Sequence, residues 1–161
     1  EDWNWVDDRL IQEVRTEASK KINRDLVLDI MGTDIDARMV EIAKENAQKA
    51  GVASDIIFKQ MRVQDLRSDK INGVIISNPP YGERLSDDAG VTKLYAEMGE
   101  VFAPLTTWSK FILTSDENFE KKFGRPADKK RKLYNGTLKV DLYQFFGERV
   151  RRQSSNEKGS I

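Results

Sequence analysis

The stretch Gly73–Gly82, GVIISNPPYG, joins a run of apolar, β-branched residues to a short polar turn. Turn residues bound the run Gly73–Ile76, and this pattern predicts a strand that is buried on both faces of a parallel sheet. The Asn-Pro-Pro-Tyr segment then falls at the carboxyl edge of that strand. Because ligands bind at this edge in open α/β sheets, Asn78, followed by two rigid prolines, is a candidate site residue.

Helical and extended patterns alternate along the rest of the chain. The segment from Trp5 to about Asn23 has an apolar residue at every fourth position, which predicts an amphipathic helix. A second helix is predicted between its N-cap Asp36 and Gly51, where the apolar stripe stops. Three more strands are predicted at Leu26–Gly32, Ile56–Met61 and Lys110–Ser115. One more helix is predicted at Leu94–Leu105. Strands that alternate with helices indicate a mainly parallel sheet.

The C-terminal pattern predicts a different pairing. The segment KLYNGTLKVDLYQFF has Asn135-Gly136 between two β-rich runs, which is a strong hairpin signal, so the last two strands should pair antiparallel. A chain of 161 residues with 39% apolar content has room for one domain with a core. We assign residues 1–152 to that domain, and we expect the polar residues 153–161 to be disordered.

Composition excludes several kinds of chemistry. The sequence has no cysteine and no histidine, which removes disulfides, thiol nucleophiles, imidazole bases and most transition-metal sites, so no metal is expected. No apolar run approaches the length of a membrane span, and the N-terminus does not resemble a signal peptide. A cytoplasmic protein without a membrane partner is the simplest interpretation.

Charge is balanced over the whole chain but divided along it. Residues 1–100 carry 14 basic and 20 acidic side chains, for a net charge of −6, and residues 101–161 carry 13 and 7, for +6. This asymmetry permits a basic surface for a polyanion without proving one.

Five segments in a fixed order carry a family resemblance. They are GTDIDARMVEIAKENAQKAG, VQDL, SNPPYGERL, KLYNG and the final aromatic strand. Together they resemble the catalytic domain of the S-adenosylmethionine-dependent RNA methylase family, and within it the RlmL-like guanine-N2 methyltransferases of large-subunit ribosomal RNA. The resemblance covers Trp3 to about Arg152. It implies a Rossmann-like class I methyltransferase sheet of seven strands, mostly parallel, with a C-terminal antiparallel hairpin.

The resemblance also implies what the Asn-Pro-Pro-Tyr segment does. An exocyclic amino nitrogen is a poor nucleophile because its lone pair is delocalised into the base. The Asn78 side-chain oxygen and the Pro79 carbonyl would each accept one N–H, so that the lone pair points toward the sulfonium methyl. Each of these hydrogen bonds would stabilise the transition state by roughly as much as an oxyanion-hole donor does. Pro80 stiffens the backbone, and Tyr81 offers a face for stacking the flipped base.

Three residues are implied to hold the cofactor, S-adenosylmethionine, together with Asn78. Asp34 matches the acidic residue that accepts both ribose hydroxyls, and Ile35 follows it. Asp65, in VQDL, matches the residue that accepts the adenine amino group. The structural alternatives are a turn-forming aspartate at position 34 and a solvated loop carboxylate at position 65. Asp36 is expected to be a helix cap.

The implied partner is RNA, most specifically ribosomal RNA. Arg84, beside the Asn-Pro-Pro-Tyr segment, and Lys130 and Arg131, in the basic cluster Lys129–Lys132, are candidate phosphate contacts. Charge runs of this kind are as often solvated surface. The Asn-Pro-Pro-Tyr-Gly segment also has a structural alternative, since Asn-Pro and Tyr-Gly are ordinary turn dipeptides.

One departure from the family concerns glycine. These methyltransferases need a glycine-rich turn after the first strand, where backbone N–H groups approach the cofactor, and this chain has ten glycines but no G-x-G. We therefore expect a fragment that lacks the first strand and this loop. The neighbouring strands would then close up, swap with another chain or leave an exposed edge through which two copies could form a homodimer.

Other functions remain open at this level. A DNA adenine-N6 methyltransferase and a glutamine-amide methyltransferase use a similar motif. A catalytically inactive fragment that binds RNA or dimerises is the non-enzymatic alternative.

Overall fold

The computed structural model describes residues 5–23, 25–80 and 88–149 of the 161. These residues belong to two compact units, 1–60 and 61–161, and each unit is described by itself. Within the described ranges, every helix is too short or too polar to cross a membrane. The predicted disordered tail, residues 153–161, lies outside the described residues.

The first unit contains two helices and a two-stranded parallel sheet. Its elements are α1 (Asp8–Lys20), β1 (Ile30–Asp34), α2 (Ala37–Lys49) and β2 (Ile56–Gln60). Strands β1 and β2 pair from Ile30 opposite Ile56 to Asp34 opposite Gln60. The predicted strand at Leu26–Gly32 therefore begins and ends later, because β2 provides ladder partners only for Ile30–Asp34.

Local sequence explains where the helices of this unit begin and end. The Asp7 side chain accepts a hydrogen bond from the backbone of Arg9 and caps α1. Asp36 caps α2 in the same way at 2.9 Å from the Arg38 nitrogen, which confirms the predicted cap. After α2 the chain turns at Gly51, whose φ of +71° favours glycine.

The two helices differ in what they bury. Helix α2 buries Val40 and Ala47, whereas α1 has no buried residue despite its predicted apolar stripe. Leu10 and Val14 of that stripe are more than half exposed. The helical period of α1 is confirmed, but burial of its apolar face is not found.

The second unit contains a four-stranded mixed sheet. Its elements are β3 (Val74–Ser77), α3 (Asp88–Phe102), β4 (Ser109–Thr114), α4 (Phe119–Phe123), β5 (Lys129–Asn135) and β6 (Leu138–Phe145). The strand order is β3-β4-β6-β5; β3 and β4 are parallel, and the other two pairings are antiparallel. The predicted α/β class with a reversed final hairpin is confirmed.

Helices α3 and α4 cover one face of this sheet with an aromatic core. Phe119 of α4 packs between Tyr95 and Tyr143, with ring centroids 4.9 Å and 4.8 Å apart. All three residues are fully buried. Gly99 of α3 lies against the carbonyl of Phe123, where a Cβ atom would overlap it, so glycine allows the two helices to approach closely.

Two details of the sequence prediction were wrong. β3 is not buried on both faces, because Val74 and Ile76 are 59% and 81% exposed and only Ile75 packs on the core. The described helices of the second unit cover only the face that carries Ile75. The hairpin loop is also displaced by one residue, since Asn135 pairs with Leu138 and Gly136 takes the positive φ of +63°.

Unpaired strand edges occur in both sheets. Among the described residues, β1 pairs only with β2 and β3 only with β4. Each of these strands therefore leaves one row of backbone groups without a neighbouring strand among the described residues.

Candidate active site

The Asn78–Pro80 segment continues directly from the carboxyl end of β3. Ser77 lies opposite Ile112 in the parallel ladder, so extension of the same register brings the segment alongside Thr114, the last residue of β4. The side chain of Pro79 is buried, whereas Asn78 and Pro80 are exposed. The sequence thus predicted correctly that an asparagine follows a parallel strand at its carboxyl edge.

A buried pair of hydroxyl groups supports this segment from below. The Tyr95 hydroxyl on α3 donates to the Pro80 carbonyl at 3.0 Å and lies 2.9 Å from the Thr114 hydroxyl. Both side chains are fully buried. From the sequence, Tyr95 was only one residue of the helix predicted at Leu94–Leu105, and no local pattern pointed to these contacts of its hydroxyl.

Asp34 ends β1 as an exposed carboxylate. Its Oδ1 accepts a hydrogen bond of 2.8 Å from the Asp36 backbone nitrogen, so the residue does form the turn that its structural alternative required. Oδ2 has no hydrogen-bond donor among the residues that the structure describes. Asp34 can therefore shape the turn and still accept hydroxyl donors from a ligand.

Ile35 is held beside Asp34 by the neighbouring strand. The Gln60 side chain at the end of β2 donates to the Ile35 carbonyl at 3.0 Å. The Ile35 side chain itself is mostly exposed. An exposed apolar side chain next to a carboxylate is suited to a ligand with both an apolar ring and hydroxyl groups.

Asp65 lies in a short 3-10 helix, Val63–Asp65, in the second unit. The side chain of Gln64 donates to the Glu97 carboxylate and ties this helix to α3. Asp65 is exposed, and within residues 25–80 and 88–149 its carboxylate oxygens meet no hydrogen-bond donor. The backbone is thus fixed while the carboxylate stays available.

The two candidate phosphate contacts on β5 differ in their surroundings. Lys130 lies 3.3 Å from the Asp141 carboxylate and 4.7 Å from the ring centroid of Tyr143. A hydrogen bond with Tyr143, assisted by Asp141, raises the pKa of Lys130 above its usual value. Arg131 is exposed and pairs across the hairpin with Leu142. Lys130 is partly engaged within the protein, so Arg131 is the more available cation.

Two predicted site residues fall outside the described residues. They are Tyr81, the predicted stacking platform, and Arg84, the predicted phosphate contact. Their roles stay predictions. The described residues do bring Asn78, Pro79 and Pro80 together on one short segment, with Asp65 in the same unit, while Asp34 and Ile35 belong to the first unit.

An α/β fold with a reversed final hairpin is that of Rossmann-like methyltransferases, and the Asn-Pro-Pro-Tyr segment at the end of a parallel strand agrees with it. Residues 4–144 match the family described as the RMKL-like methyltransferase domain. The chain belongs to this family.

Two curated relatives show how the chain compares in sequence. YpsC of Bacillus subtilis, named as a candidate RNA methyltransferase, is 52% identical over 148 residues, which are 92% of this chain and 38% of YpsC. The ribosomal RNA large subunit methyltransferase K/L of Legionella pneumophila is 34% identical over 88% of this chain and 20% of its own length. The chain therefore spans about two-fifths or less of these relatives.

Two crystal structures show the same fold. SMU.472, described as a candidate methyltransferase complexed with SAH, has a TM-score of 0.84 and 63% identity, covering 92% of this chain and 40% of that one. A protein of Listeria monocytogenes, described as a predicted N6-adenine-specific DNA methylase, has a TM-score of 0.79 and 46% identity, covering 91% and 37%. The Rossmann-like methyltransferase fold is thus confirmed.

Proposed function

We propose that this chain is part of an S-adenosylmethionine-dependent methyltransferase that modifies an exocyclic amino group of a base in RNA, with guanine N2 of large-subunit ribosomal RNA as the target. The observation that carries the proposal is the Asn78–Pro80 segment, which continues from β3 at the ligand-binding edge of a parallel pair. The family and the RNA-directed names of YpsC and the K/L enzyme support it.

The proposed chemistry depends on two hydrogen-bond acceptors. The Asn78 side-chain oxygen and the Pro79 carbonyl each accept one N–H of the target amine, which localises the nitrogen lone pair. As nitrogen forms its new bond to the methyl carbon, the carbon–sulfur bond would break and the sulfur would become neutral. Nitrogen would become positively charged, and both acceptors stabilise that charge. The amine would then release its extra proton to solvent water and return to neutrality. Tyr81 stacks on the flipped base and holds its plane.

The available carboxylates fit the proposed cofactor. S-adenosylmethionine supplies a methyl group on a positively charged sulfur when it is bound. Oδ2 of Asp34 can accept ribose hydroxyls, and the Asp65 carboxylate can accept an adenine amino group. The exposed side chain of Ile35 offers apolar contact beside Asp34. Each carboxylate, taken within its own unit, is an acceptor suited to one kind of donor on an adenosine.

RNA contacts are proposed for Arg131, Lys130 and Arg84. Arg131 is exposed on an edge strand of lysines and arginines, a surface suited to phosphates. Such contacts position the RNA backbone and carry no base specificity. An enzyme that acts on ribosomal RNA would work in the cytoplasm, which is the location we propose.

A methyl-transfer assay with matched variants tests this proposal. The chain, alone and extended to the length of its relatives, is incubated with radiolabelled S-adenosylmethionine and ribosomal RNA transcripts. Asn78→Ala is expected to lower kcat by about 10²- to 10³-fold, the loss typical of one transition-state hydrogen bond. Asn46→Ala, an exposed position on α2, is the control and should retain the rate of the unmodified protein.

The outcomes separate the candidate functions. Transfer to RNA that depends on Asn78 supports the proposal, whereas RNA binding without transfer by either length of protein would favour the non-enzymatic alternative. Transfer to plasmid DNA in preference to RNA would favour adenine-N6 methylation of DNA. That second candidate is supported by the description of the Listeria monocytogenes structure as a DNA methylase.

Self-association is a further part of the proposal. Among the strands that the structure describes, β3 pairs along one edge only, and its Val74 and Ile76 side chains are exposed. Unpaired edges with apolar side chains favour pairing between chains. Sedimentation equilibrium of the 161-residue chain would detect a homodimer, and a single monomeric species at high concentration would rule it out.

A further inference from the structure

We propose that Tyr95 and Thr114 are positioning residues for methyl transfer, because their buried hydroxyl groups fix the Pro80 carbonyl and thereby the Asn78–Pro79 acceptors. This inference rests on the proposed function. Neither residue is proposed to touch the substrate. They act through the backbone of the Asn78–Pro80 segment, which is proposed to contact it.

The direction of each hydrogen bond follows from the donors available. A carbonyl can only accept, so the single proton of the Tyr95 hydroxyl is used on the Pro80 carbonyl at 3.0 Å. In the 2.9 Å contact between Tyr95 and Thr114, the threonine must therefore be the donor. The Thr114 oxygen keeps lone pairs, and it accepts the Asp116 backbone N–H at 3.1 Å.

The hydrogen bonds of this arrangement are aligned and shielded from water. The protons point in one direction, from Asp116 through Thr114 and Tyr95 to Pro80, and hydrogen bonds aligned in this way strengthen one another. Tyr95 and Thr114 are fully buried, so water does not replace a lost bond at low cost. The Tyr95 ring is held in an edge contact with Phe119, which fixes where its hydroxyl lies.

The segment between the two anchors has little freedom. Its first anchor is Ser77, which is paired with Ile112 in the sheet, and its second is the Pro80 carbonyl. Between them, the rings of Pro79 and Pro80 fix two of the backbone torsions. Release of the second anchor frees the rotation of the remaining peptide planes, including the plane that carries the Pro79 carbonyl.

Methyl transfer is sensitive to such a release because it depends on the direction of two acceptors. A displacement of about 1 Å at a reacting group can cost about 10²-fold in rate. Three of the four residues proposed to bind the cofactor, Asp34, Ile35 and Asp65, lie outside this segment, so kcat should fall by much more than the KM for S-adenosylmethionine rises. A loss in kcat that far exceeds any rise in this KM distinguishes positioning from general damage to the fold.

Tyr143 provides a matched control for Tyr95. It is also a fully buried tyrosine in the second unit, and its hydroxyl also donates to a carbonyl, that of Asp116 at 3.1 Å. The substitutions Tyr95→Phe and Tyr143→Phe each remove one buried hydroxyl and keep the ring. Only the first removes the bond to Pro80. The second removes a bond to the carbonyl of Asp116, whose N–H donates to Thr114, and it leaves the Tyr95 bond to Pro80 in place. A similar loss of kcat in both variants would therefore indicate a general structural effect.

The test measures kcat, KM for S-adenosylmethionine and the urea midpoint of both variants in the protein used for the transfer assay. We expect Tyr95→Phe to lower kcat by about 10- to 100-fold and to raise this KM by much less. Tyr143→Phe should lower kcat less than about twofold and shift the midpoint as much as Tyr95→Phe does. Equal losses of kcat in both variants, or none in Tyr95→Phe, would overturn the inference.

Two substitutions at Thr114 test the role of its hydroxyl group. Thr114→Val keeps the shape and removes the hydroxyl, so we expect a smaller loss of kcat than in Tyr95→Phe, because the Tyr95 bond to Pro80 remains. Thr114→Ser keeps the hydroxyl and should restore the rate. A serine variant as slow as the valine variant would contradict a role for the hydroxyl.

A separate measurement keeps this inference distinct from the proposed function. If the unmodified protein transfers no methyl group, the proposed function fails, and the position of the segment is followed by the NMR signals of the Asn78 side-chain amide. Movement of these signals in Tyr95→Phe but not in Tyr143→Phe would support anchoring of the segment. Unchanged signals in both variants would reject it.

Discussion

The two units of the chain differ in how much of their apolar surface they bury. Eleven of the thirteen buried apolar residues among the described parts of the chain belong to the second unit, and only Val40 and Ala47 belong to the first. The second unit therefore supports its site segment on a packed aromatic core. The first unit presents Asp34 and Ile35 on two paired strands and one packed helix.

This difference implies unequal local stability. Buried apolar area is the main favourable term in folding, so a unit that buries little of it opens more readily. The acceptors proposed for the target amine lie on the unit with the larger core, whereas the residues proposed for the ribose lie on the unit with the smaller one. Binding of a ligand to Asp34 would stabilise the first unit by mass action.

The largest expected effect is on the core of the second unit. Phe119→Ala removes a fully buried ring that contacts Tyr95 and Tyr143, and it should lower the free energy of unfolding by about 3–5 kcal/mol. Urea denaturation combined with hydrogen exchange of peptides from each unit measures this. Faster exchange should appear only in peptides from residues 61–149.

Phe146→Ala is the control for that substitution, since Phe146 is half-exposed and its loss should cost far less. If peptides of both units lose protection equally in Phe119→Ala, then the units unfold as one and the comparison between them is broken.

An intermediate effect is expected at the cap of α2. Asp36→Ala removes the side-chain hydrogen bond to the Arg38 backbone, and it should destabilise the helix by the loss of one N-cap bond. Hydrogen exchange should quicken in residues 37–49 and stay unchanged in the second unit. Asp36→Asn keeps an oxygen acceptor and should behave almost as the unmodified protein does. A fall in the unfolding midpoint of the second unit would contradict independent units.

The smallest effect concerns an exposed ion pair of the second unit. The hydrogen bond from Lys139 holds the pKa of Glu117 below its ordinary value of 4.5. A carboxyl with a lower pKa in the folded state contributes stability above pH 4.5, and that contribution is lost as the pH falls through the folded pKa. NMR titration of the Glu117 carboxyl should show its pKa rise in Lys139→Met.

This ion pair also sharpens the comparison between the units. Lys139 is distant from Glu117 in sequence, so the lowered pKa of Glu117 requires a folded second unit. Asp36 has its pKa lowered by hydrogen bonds from Arg38, only two residues away. In urea well above the midpoint of the second unit, where almost all molecules are unfolded, the pKa of Glu117 should return toward 4.5. A shift that persists there would show residual structure.

Much of the fold could be predicted from the sequence, because helices and hairpins depend on local patterns. Asp36 and Gly51 marked the ends of α2, and Asn135-Gly136 marked the hairpin to within one residue. The start of β1 could not be predicted, since it depends on which residues of β2 pair with it. The exposure of Val74 and Ile76 also depends on what covers the sheet, which a residue pattern does not contain.

The candidate site also has features that could be predicted from the sequence and features that could not. The position of Asn78 after a parallel strand and a turn at Asp34 followed from the sequence, whereas the pairing of Lys130 with Asp141 did not. Hydrogen bonds between residues far apart in sequence are set by packing. No local pattern indicates them.

The sequence by itself determined the class of fold, the family and the segment most suited to chemistry, because strand and helix periods and short motifs are local properties of the chain. Only the tertiary structure decided that Tyr95 and Thr114 support Pro80. They are 15 and 34 residues from it, and they meet it only because α3 packs on the sheet beside the end of β4. Burial then gives these hydroxyls their energetic weight, since a polar group removed from water must find its partner within the protein.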